Sequence, residues 1–149
     1  MNQINVKIKL LREGVQLPEY ATDGSAAIDL RSAADSDITI EPGKRALIPT
    51  GIAIAPETSG VVAILAARSG LSVKHGITLT NGIGVIDSDY RGEICASLIN
   101  VSDTPYTITP GERMAQLMFM PVLQANFIVT DELDDTSRGT GGFGSTGRK

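Results

Sequence analysis

The sequence has little of several residue types, and each scarcity excludes a class of protein. Its 149 residues include one cysteine, one histidine and no tryptophan. The single cysteine, Cys95, cannot form a disulfide within the chain, and one histidine is too few for a Cys/His zinc or iron site. Aromatic residues make up 4% of the chain and hydrophobic residues 42%. We therefore expect a core built from Val, Ile, Leu and Ala.

Basic charge and long apolar runs are also missing. The formal net charge is -4 at pH 7, whereas a general nucleic-acid-binding protein normally carries a basic face. No apolar run approaches the ~20 residues that span a bilayer, and the first residues alternate polar and apolar instead of forming a signal peptide. We expect a cytoplasmic protein that binds neither nucleic acid nor membranes.

Short segments of alternating apolar and polar residues dominate the chain. Residues 4–10 follow this pattern, which is typical of a half-buried strand. Similar segments, separated by Pro, Gly and Asn turn signals, lie at residues 38–40, 45–48, 52–55, 61–66, 93–100, 106–108, 113–120 and 127–129. The pattern predicts an all-β single domain, a distorted jelly roll or β-barrel. At most residues 69–75 form a short helix, with Ser69 as its N-cap.

The composition changes toward the C-terminal end. Residues 131–135 are acidic, and from Arg138 onward the chain is almost entirely Gly, Ser and Thr around Phe143. Such a segment buries too little apolar surface to offset the entropy lost on ordering. We therefore divide the chain into a β-barrel domain at residues 1–137 and a flexible glycine-rich segment at residues 138–149, called the tail below.

Two segments match the residue pattern of a known ligand-binding motif but lack the other features that the motif requires. Residues 139–144 fit Gly-x-Gly-x-x-Gly, but we expect neither the helix nor the acidic residue that a dinucleotide site needs after it. Residues 87–92 begin like an EF-hand, yet Arg91 and Leu98 stand where calcium needs oxygen ligands. Both interpretations fail, although consecutive glycines still let backbone N–H groups approach a phosphate closely.

Five segments together resemble the ordered motifs of the trimeric dUTP pyrophosphatases (dUTPases), and their order and spacing match over nearly the whole chain. They lie at residues 27–30, 67–72, 81–92, 111–117 and 138–147. The resemblance implies a jelly-roll homotrimer with shared active sites and Mg²⁺ as cofactor. It also implies hydrolysis of dUTP to dUMP and pyrophosphate, which removes dUTP and supplies dUMP for thymidylate synthesis. Ala67 stands where relatives often have proline.

The resemblance also implies roles for individual residues. Asp87 is the general base for the water that attacks the α-phosphorus, and Tyr90 packs beneath the deoxyribose and excludes a 2′-hydroxyl. Asn81 and the turn containing Gly84 read uracil, and Phe143 stacks on the base when the tail closes over the substrate. The other substrate-binding residues, mainly phosphate contacts, are Arg68, Ser69, Gly70, Gln116, Arg138, Gly144, Ser145 and Thr146.

Some alternatives stay open. For Asp29, which lies in an apolar segment, we favour an ion pair with an Arg near the site over direct catalysis. We expect no direct metal ligand, because Mg²⁺ prefers substrate phosphates and water to a protein cage. A dCTP deaminase-like enzyme of the same superfamily and a non-catalytic nucleotide-sensing module are the alternative functions.

Overall fold

The computed structural model describes residues 3–142, which form eleven strands and one short helix. The strands are β1 (Val6–Leu10), β2 (Ile28–Arg31), β3 (Ile38–Ile40), β4 (Arg45–Pro49), β5 (Ile52–Pro56), β6 (Val61–Ala67), β7 (Ile77–Leu79), β8 (Gly84–Ile86), β9 (Cys95–Asn100), β10 (Tyr106–Ile108) and β11 (Arg113–Pro121). The helix is α1 (Ser69–His75). The predicted all-β class is confirmed.

Two sheets and two antiparallel pairs enclose a single core. The four-stranded sheet has the order β2-β11-β6-β8 and the three-stranded sheet has the order β4-β9-β7, while β1 pairs with β5 and β3 with β10. Side chains from both sheets meet in the core, whose buried members are aliphatic residues and one methionine, as the composition predicts. Among them are Leu30, Ile48, Leu65, Leu98, Met114 and Leu117.

The ends of α1 differ in one respect from the prediction. Ser69 is the first helical residue and not the N-cap, so that part of the prediction is wrong. Arg68 occupies the cap position with extended backbone, at φ -84° and ψ 127°, and makes no side-chain capping bond. Its guanidinium instead donates hydrogen bonds to Asp29 and to the carbonyl of Arg113. Within residues 3–142 this helix is seven residues long, and no helix there could cross a membrane.

The predicted strand at residues 127–129 is also wrong. Phe127, Ile128 and Val129 are 90%, 82% and 97% exposed and pair with no strand in the described part of the chain. The chain leaves the body after the amide of Val122, which donates to the carbonyl of Gly60 at 3.1 Å. An apolar segment without a neighbouring backbone cannot form a sheet, whatever its propensity.

Asn100 is a fully buried polar side chain whose hydrogen bonds are all made. Its Nδ2 donates to the carbonyls of Ile40 at 2.8 Å and Thr104 at 2.7 Å. Its Oδ1 accepts from the amide of Ser102 at 2.9 Å and from the Ser102 hydroxyl at 2.7 Å. These bonds tie the end of β9 to β3 and to the turn that leads into β10.

Replacing Asn100 by alanine should lower the free energy of unfolding by about 3 kcal/mol, because buried carbonyl and amide groups lose their partners. Urea denaturation at one fixed protein concentration measures the change. Asn5→Ala, at an exposed position before β1, is the matched control and should stay within ~0.5 kcal/mol of the parent. A loss below ~1 kcal/mol for Asn100→Ala would contradict this account.

Candidate active site

The first group of predicted site residues gathers around the carboxylate of Asp29, and we call it the Asp29 cluster. Arg68 Nε donates to Asp29 Oδ1 at 2.9 Å, and Arg113 Nη1 donates to Oδ2 at 3.1 Å. Gln116 Nε2 donates to Oδ1 at 3.3 Å. The Asp29 side chain is 18% exposed. The predicted ion pair of Asp29 with an arginine is therefore confirmed, and Arg68 is its closer partner.

Strand register explains why these residues meet. Asp29 on β2 is directly opposite Gln116 on β11, and Gln116 is opposite Ala66 on β6, two residues before Arg68. Directly opposed residues present their side chains on the same face of a sheet. The β2–β11 register shifts between Arg113 and Ala115, and such a bulge can re-aim a side chain.

The Asp29 cluster carries an excess of positive charge. Two guanidinium groups face one carboxylate, and Arg68 Nη1 also donates to the carbonyl of Arg113 at 3.0 Å. Ser69 and Gly70 follow Arg68 directly and are exposed. Guanidinium and hydroxyl donors held in place beside open solvent are suited to binding phosphate oxygens.

The second group lines a cleft of about 470 Å³ next to β8, which we call the Tyr90 cleft. Asn81, Gly84, Asp87 and Tyr90 all contribute to its wall, as does Glu93. The carboxylate of Asp87 is exposed and forms no ion pair with any residue in the range 3–142. A carboxylate that is open to water in this way is available to accept a proton.

A network that the sequence pattern did not predict holds Tyr90 in the cleft. The Tyr90 hydroxyl donates to the main-chain carbonyl of Glu93 at 3.0 Å. The Glu93 carboxylate accepts from the amide of Gly51 at 2.8 Å and from Arg12 Nη2 at 3.3 Å. The bond to Glu93 raises the pKa of Arg12. Arg12 and Glu93 are 81 residues apart in sequence, so no local motif could have revealed this contact.

Cys95 and His75 take no obvious part in this chemistry. Cys95 is half-buried in the wall of the Tyr90 cleft, and burial raises the pKa of its thiol, with the nearby charge of Glu93 adding to the effect. A thiol that stays protonated is a poor nucleophile. His75 is exposed, with the centre of its ring 4.6 Å from that of Tyr106.

A larger cavity than the Tyr90 cleft, with a volume of about 650 Å³, lies elsewhere, beneath residues 12–21. Of the predicted site and ion-pair residues it contains Asp29 and Arg113 but neither Asp87 nor Tyr90. The Tyr90 cleft is the better candidate for a nucleoside site, because it combines apolar walls with several convergent polar groups.

Asp29 and the Tyr90 cleft lie at opposite edges of the four-stranded sheet, while Gln116 lies on β11 and Arg68 follows β6. Three strand spacings, roughly 14 Å in all, separate β2 from β8. The β6–β8 register ends with Ala63 opposite Ile86; continued by one residue, it puts Asp87 level with Val62, four residues from Ala66, which is level with Asp29. That adds roughly 13 Å, so Asp29 and Asp87 of one chain are roughly 20 Å apart.

The tail residues are joined to neither group in the described range. Arg138 is exposed, and its Nε donates to the carbonyl of Gly141 at 3.0 Å in a local turn. Every hydrogen bond recorded for residues 123–142 stays within that segment. The predicted site residues Phe143, Gly144, Ser145 and Thr146 lie outside the described residues. Within residues 3–142 no group of three or more His, Cys, Asp or Glu side chains could hold a metal.

Comparison with known proteins gives one consistent result. A sequence model of the dUTPase family matches residues 13–147. The deoxyuridine 5′-triphosphate nucleotidohydrolase of Desulfitobacterium hafniense is 51% identical over 149 residues, covering 99% of both chains. The enzyme of the same name from Tolumonas auensis is 52% identical over 150 residues, again covering 99% of both chains.

Solved structures with the same fold include two phage proteins. The dUTPase of Staphylococcus bacteriophage 80alpha with dUpNHpp has a TM-score of 0.87 and 27% identity, covering 96% of this chain and 98% of its own. A mutant dUTPase from phage phi11 of S. aureus, which coordinates a structural Mg(II) ion, has a TM-score of 0.79 and 24% identity, covering 88% of this chain and 99% of its own.

Proposed function

Because the chain belongs to the dUTPase family and hydrolyses dUTP to dUMP and pyrophosphate, we propose that it does so in a homotrimer with shared active sites. Each site combines the Tyr90 cleft of one subunit with the Asp29 cluster of a neighbour. With the family known, the deaminase-like and non-catalytic alternatives are set aside.

The observation that carries this proposal is the separation of the two groups of residues. A general base must lie within hydrogen-bond reach of the attacking water, and the phosphate-binding side chains must contact the same α-phosphate. Within a single chain Asp87 lies roughly 20 Å from Asp29, and Asp29 holds Arg68 and Gln116 by hydrogen bonds, so we infer that one chain does not supply both groups to the same α-phosphate. Two chains brought side by side can supply both groups. The choice of a trimer over other oligomers comes from the family resemblance.

The exposed apolar segment at residues 122–133 supports the same assembly. Leu123, Phe127 and Leu133 are 100%, 90% and 87% exposed. Leaving such side chains in water forgoes ~1.5–3 kcal/mol for each one that could be buried. Residues 127–129 form a short apolar run, and strands buried on both faces contain such runs. We propose that this segment packs on a neighbouring subunit.

Within the shared site, the Tyr90 cleft takes the nucleoside. Asn81 and the turn containing Gly84 read the uracil edge, and Tyr90 packs beneath the deoxyribose. This arrangement excludes a 2′-hydroxyl by steric contact, so UTP is not hydrolysed. The exposed position of Asp87 at the same cleft supports its role as the base that takes a proton from the attacking water.

The triphosphate extends from the cleft toward the Asp29 cluster of the neighbouring subunit. Arg68 and Gln116 bind and orient the α-phosphate, and Ser69 lies near the oxygen that bridges the α- and β-phosphates, with Gly70 beside it. Asp29 acts as a positioning residue, because it holds Arg68 and Gln116 on the strand face where they meet. The tail, at residues 138–149, closes over the substrate, with Phe143 on the base and with contacts to the triphosphate from Arg138, Gly144, Ser145 and Thr146.

Magnesium fits this site as a partner of the substrate. Both Asp29 oxygens already accept hydrogen bonds, and no metal-binding cluster occurs among residues 3–142. These residues are therefore better suited to an ion that is coordinated by triphosphate oxygens and water than to one bound directly by protein side chains. When bound, Mg²⁺ neutralises phosphate charge, while the protein's own residues orient the water, accept its proton and position the α-phosphate.

Mixing two inactive variants tests the shared site. Asp87→Asn disables the cleft, and Arg68→Ala disables the phosphate side. Trimers assembled at random from equal amounts should recover about a quarter of the parent activity, because one site in four combines an intact Asp87 with an intact Arg68 from different subunits. Pyrophosphate release from dUTP, after co-refolding, measures this recovery.

The matched control is a mixture of Asp87→Asn with Asp87→Ala, since both chains lack the base and no combination of them restores it. Differently tagged chains show by mass that mixed trimers have formed. Verified mixed trimers of the first pair with no recovered activity would contradict the shared site, as would an active monomer in sedimentation.

A further inference from the structure

The ring of Tyr90 lies against Gly92 more closely than any side chain at position 92 would allow. A Cβ atom on Gly92 would stand 2.5 Å from Tyr90 Cζ and 3.0 Å from Cε2, and it would overlap the hydroxyl oxygen. Gly92 is not among the glycines with positive φ. Its backbone therefore permits alanine, and the contact with Tyr90 is what requires glycine at this position.

A hydrogen bond holds the same end of the Tyr90 side chain. Its hydroxyl donates to the Glu93 carbonyl at 3.0 Å, and the Glu93 side chain is anchored to the amide of Gly51 at 2.8 Å. The ring thus rests on the backbone of Gly92, while its hydroxyl is held by the next residue. Together these contacts fix the position of the hydroxyl end of the ring.

Gly84, which lines the cleft itself, is constrained differently. A Cβ there would stand 2.9 Å from Leu65 Cβ, a contact between two packed strands. Gly92 instead contacts a side chain that faces the substrate. A substitution at Gly92 is therefore transmitted to the substrate through Tyr90.

We propose that Gly92 is a positioning residue for sugar discrimination, because its missing side chain sets the depth of the Tyr90 ring and hence the space at C2′. This inference rests on the proposed placement of Tyr90 beneath the deoxyribose. Displacement of the Tyr90 ring in either direction lowers the selectivity for dUTP over UTP. A ring pushed into the cleft crowds dUTP, and a ring pushed out of it admits the 2′-hydroxyl of UTP.

The test is the ratio of kcat/KM for dUTP to kcat/KM for UTP. In Gly92→Ala this ratio should fall roughly tenfold or more, since discrimination by shape depends on close contact. In a Tyr90→Ala background the same Gly92→Ala change should alter the ratio by less than about twofold, because the ring through which Gly92 acts is gone. Gly60→Ala is the matched control, since a Cβ there meets only Thr58 Oγ1 at an ordinary 3.6 Å.

Each outcome decides between explanations. A folded Gly92→Ala protein with the parent ratio overturns the proposal, and so does an equal fall in the Tyr90→Ala background. If Gly92→Ala fails to fold but the double variant folds, the contact with Tyr90 is supported; if neither folds, Gly92 serves the fold and the proposal fails. If Tyr90→Ala alone keeps the parent ratio, the placement of Tyr90 beneath the sugar is wrong, which is a separate failure.

Discussion

Asp87→Asn should lower kcat for dUTP by roughly 10³-fold or more, because asparagine keeps the shape of aspartate but cannot accept the proton of the attacking water. Nucleotide binding should survive. Asp87 is exposed and in no ion pair among the described residues, so the change removes a charge without breaking a contact of the fold. The Kd for dUpNHpp, an analogue with a nitrogen bridge, should stay within about threefold of the parent.

Pyrophosphate release gives kcat, and calorimetry with dUpNHpp gives the Kd. Asp103→Asn carries the same chemical change on the exposed turn after β9 and should leave both values unchanged. A kcat for Asp87→Asn within tenfold of the parent would overturn the assignment of the base. A large loss of binding with unchanged kcat would instead make Asp87 a substrate contact.

A chain ending at Ser137 should also lose most of its turnover, by roughly 10²-fold or more. Closure of a lid excludes bulk water and completes the set of phosphate contacts. The fold should tolerate the truncation, because the hydrogen bonds recorded for residues 123–142 all lie within that segment. The truncated chain also keeps the apolar residues 127–129, on which we propose that assembly depends.

Turnover, thermal melting and sedimentation should be measured together on this truncated protein. A chain ending at Gly147 is the matched control, since it removes two residues beyond the matching motif, and it should behave like the parent. Turnover within fivefold of the parent would show that the tail is dispensable. A fall in the melting temperature or in the size of the assembly would place the tail in the fold instead.

The fold was predictable where the signal is local. Alternation predicted most strands, and Gly43, Gly82 and Gly111 mark predicted turns where φ is 71°, 73° and 78°. The strands β7 and β8, of three residues each, were missed, whereas β3 and β10 of the same length were predicted, because alternation over three residues is weak evidence. Residues 127–129 show the opposite error, since a strand-like pattern forms a strand only beside another backbone.

The candidate site was predictable to a similar extent. The five motifs identified the residues to examine, and the Asp29 ion pair followed from the cost of an unpaired carboxylate in an apolar strand. The choice of Arg68 over other arginines depended on the register of β2, β11 and β6. Glu93, Arg12 and Gly92 were missed, because their importance comes from contacts around Tyr90 that no spacing rule encodes.

Local chemistry in the amino-acid sequence is therefore sufficient for the all-β class, the aliphatic core, the glycine turns and the family, because these depend on neighbouring residues or on short motifs. The pairing of distant segments decides which side chains share a face, that Asp87 and the Asp29 cluster lie apart, and that Tyr90 rests on Gly92. Those facts depend on strand register and on contacts at a few ångströms, where a shift of one residue moves a side chain to the opposite face of the sheet.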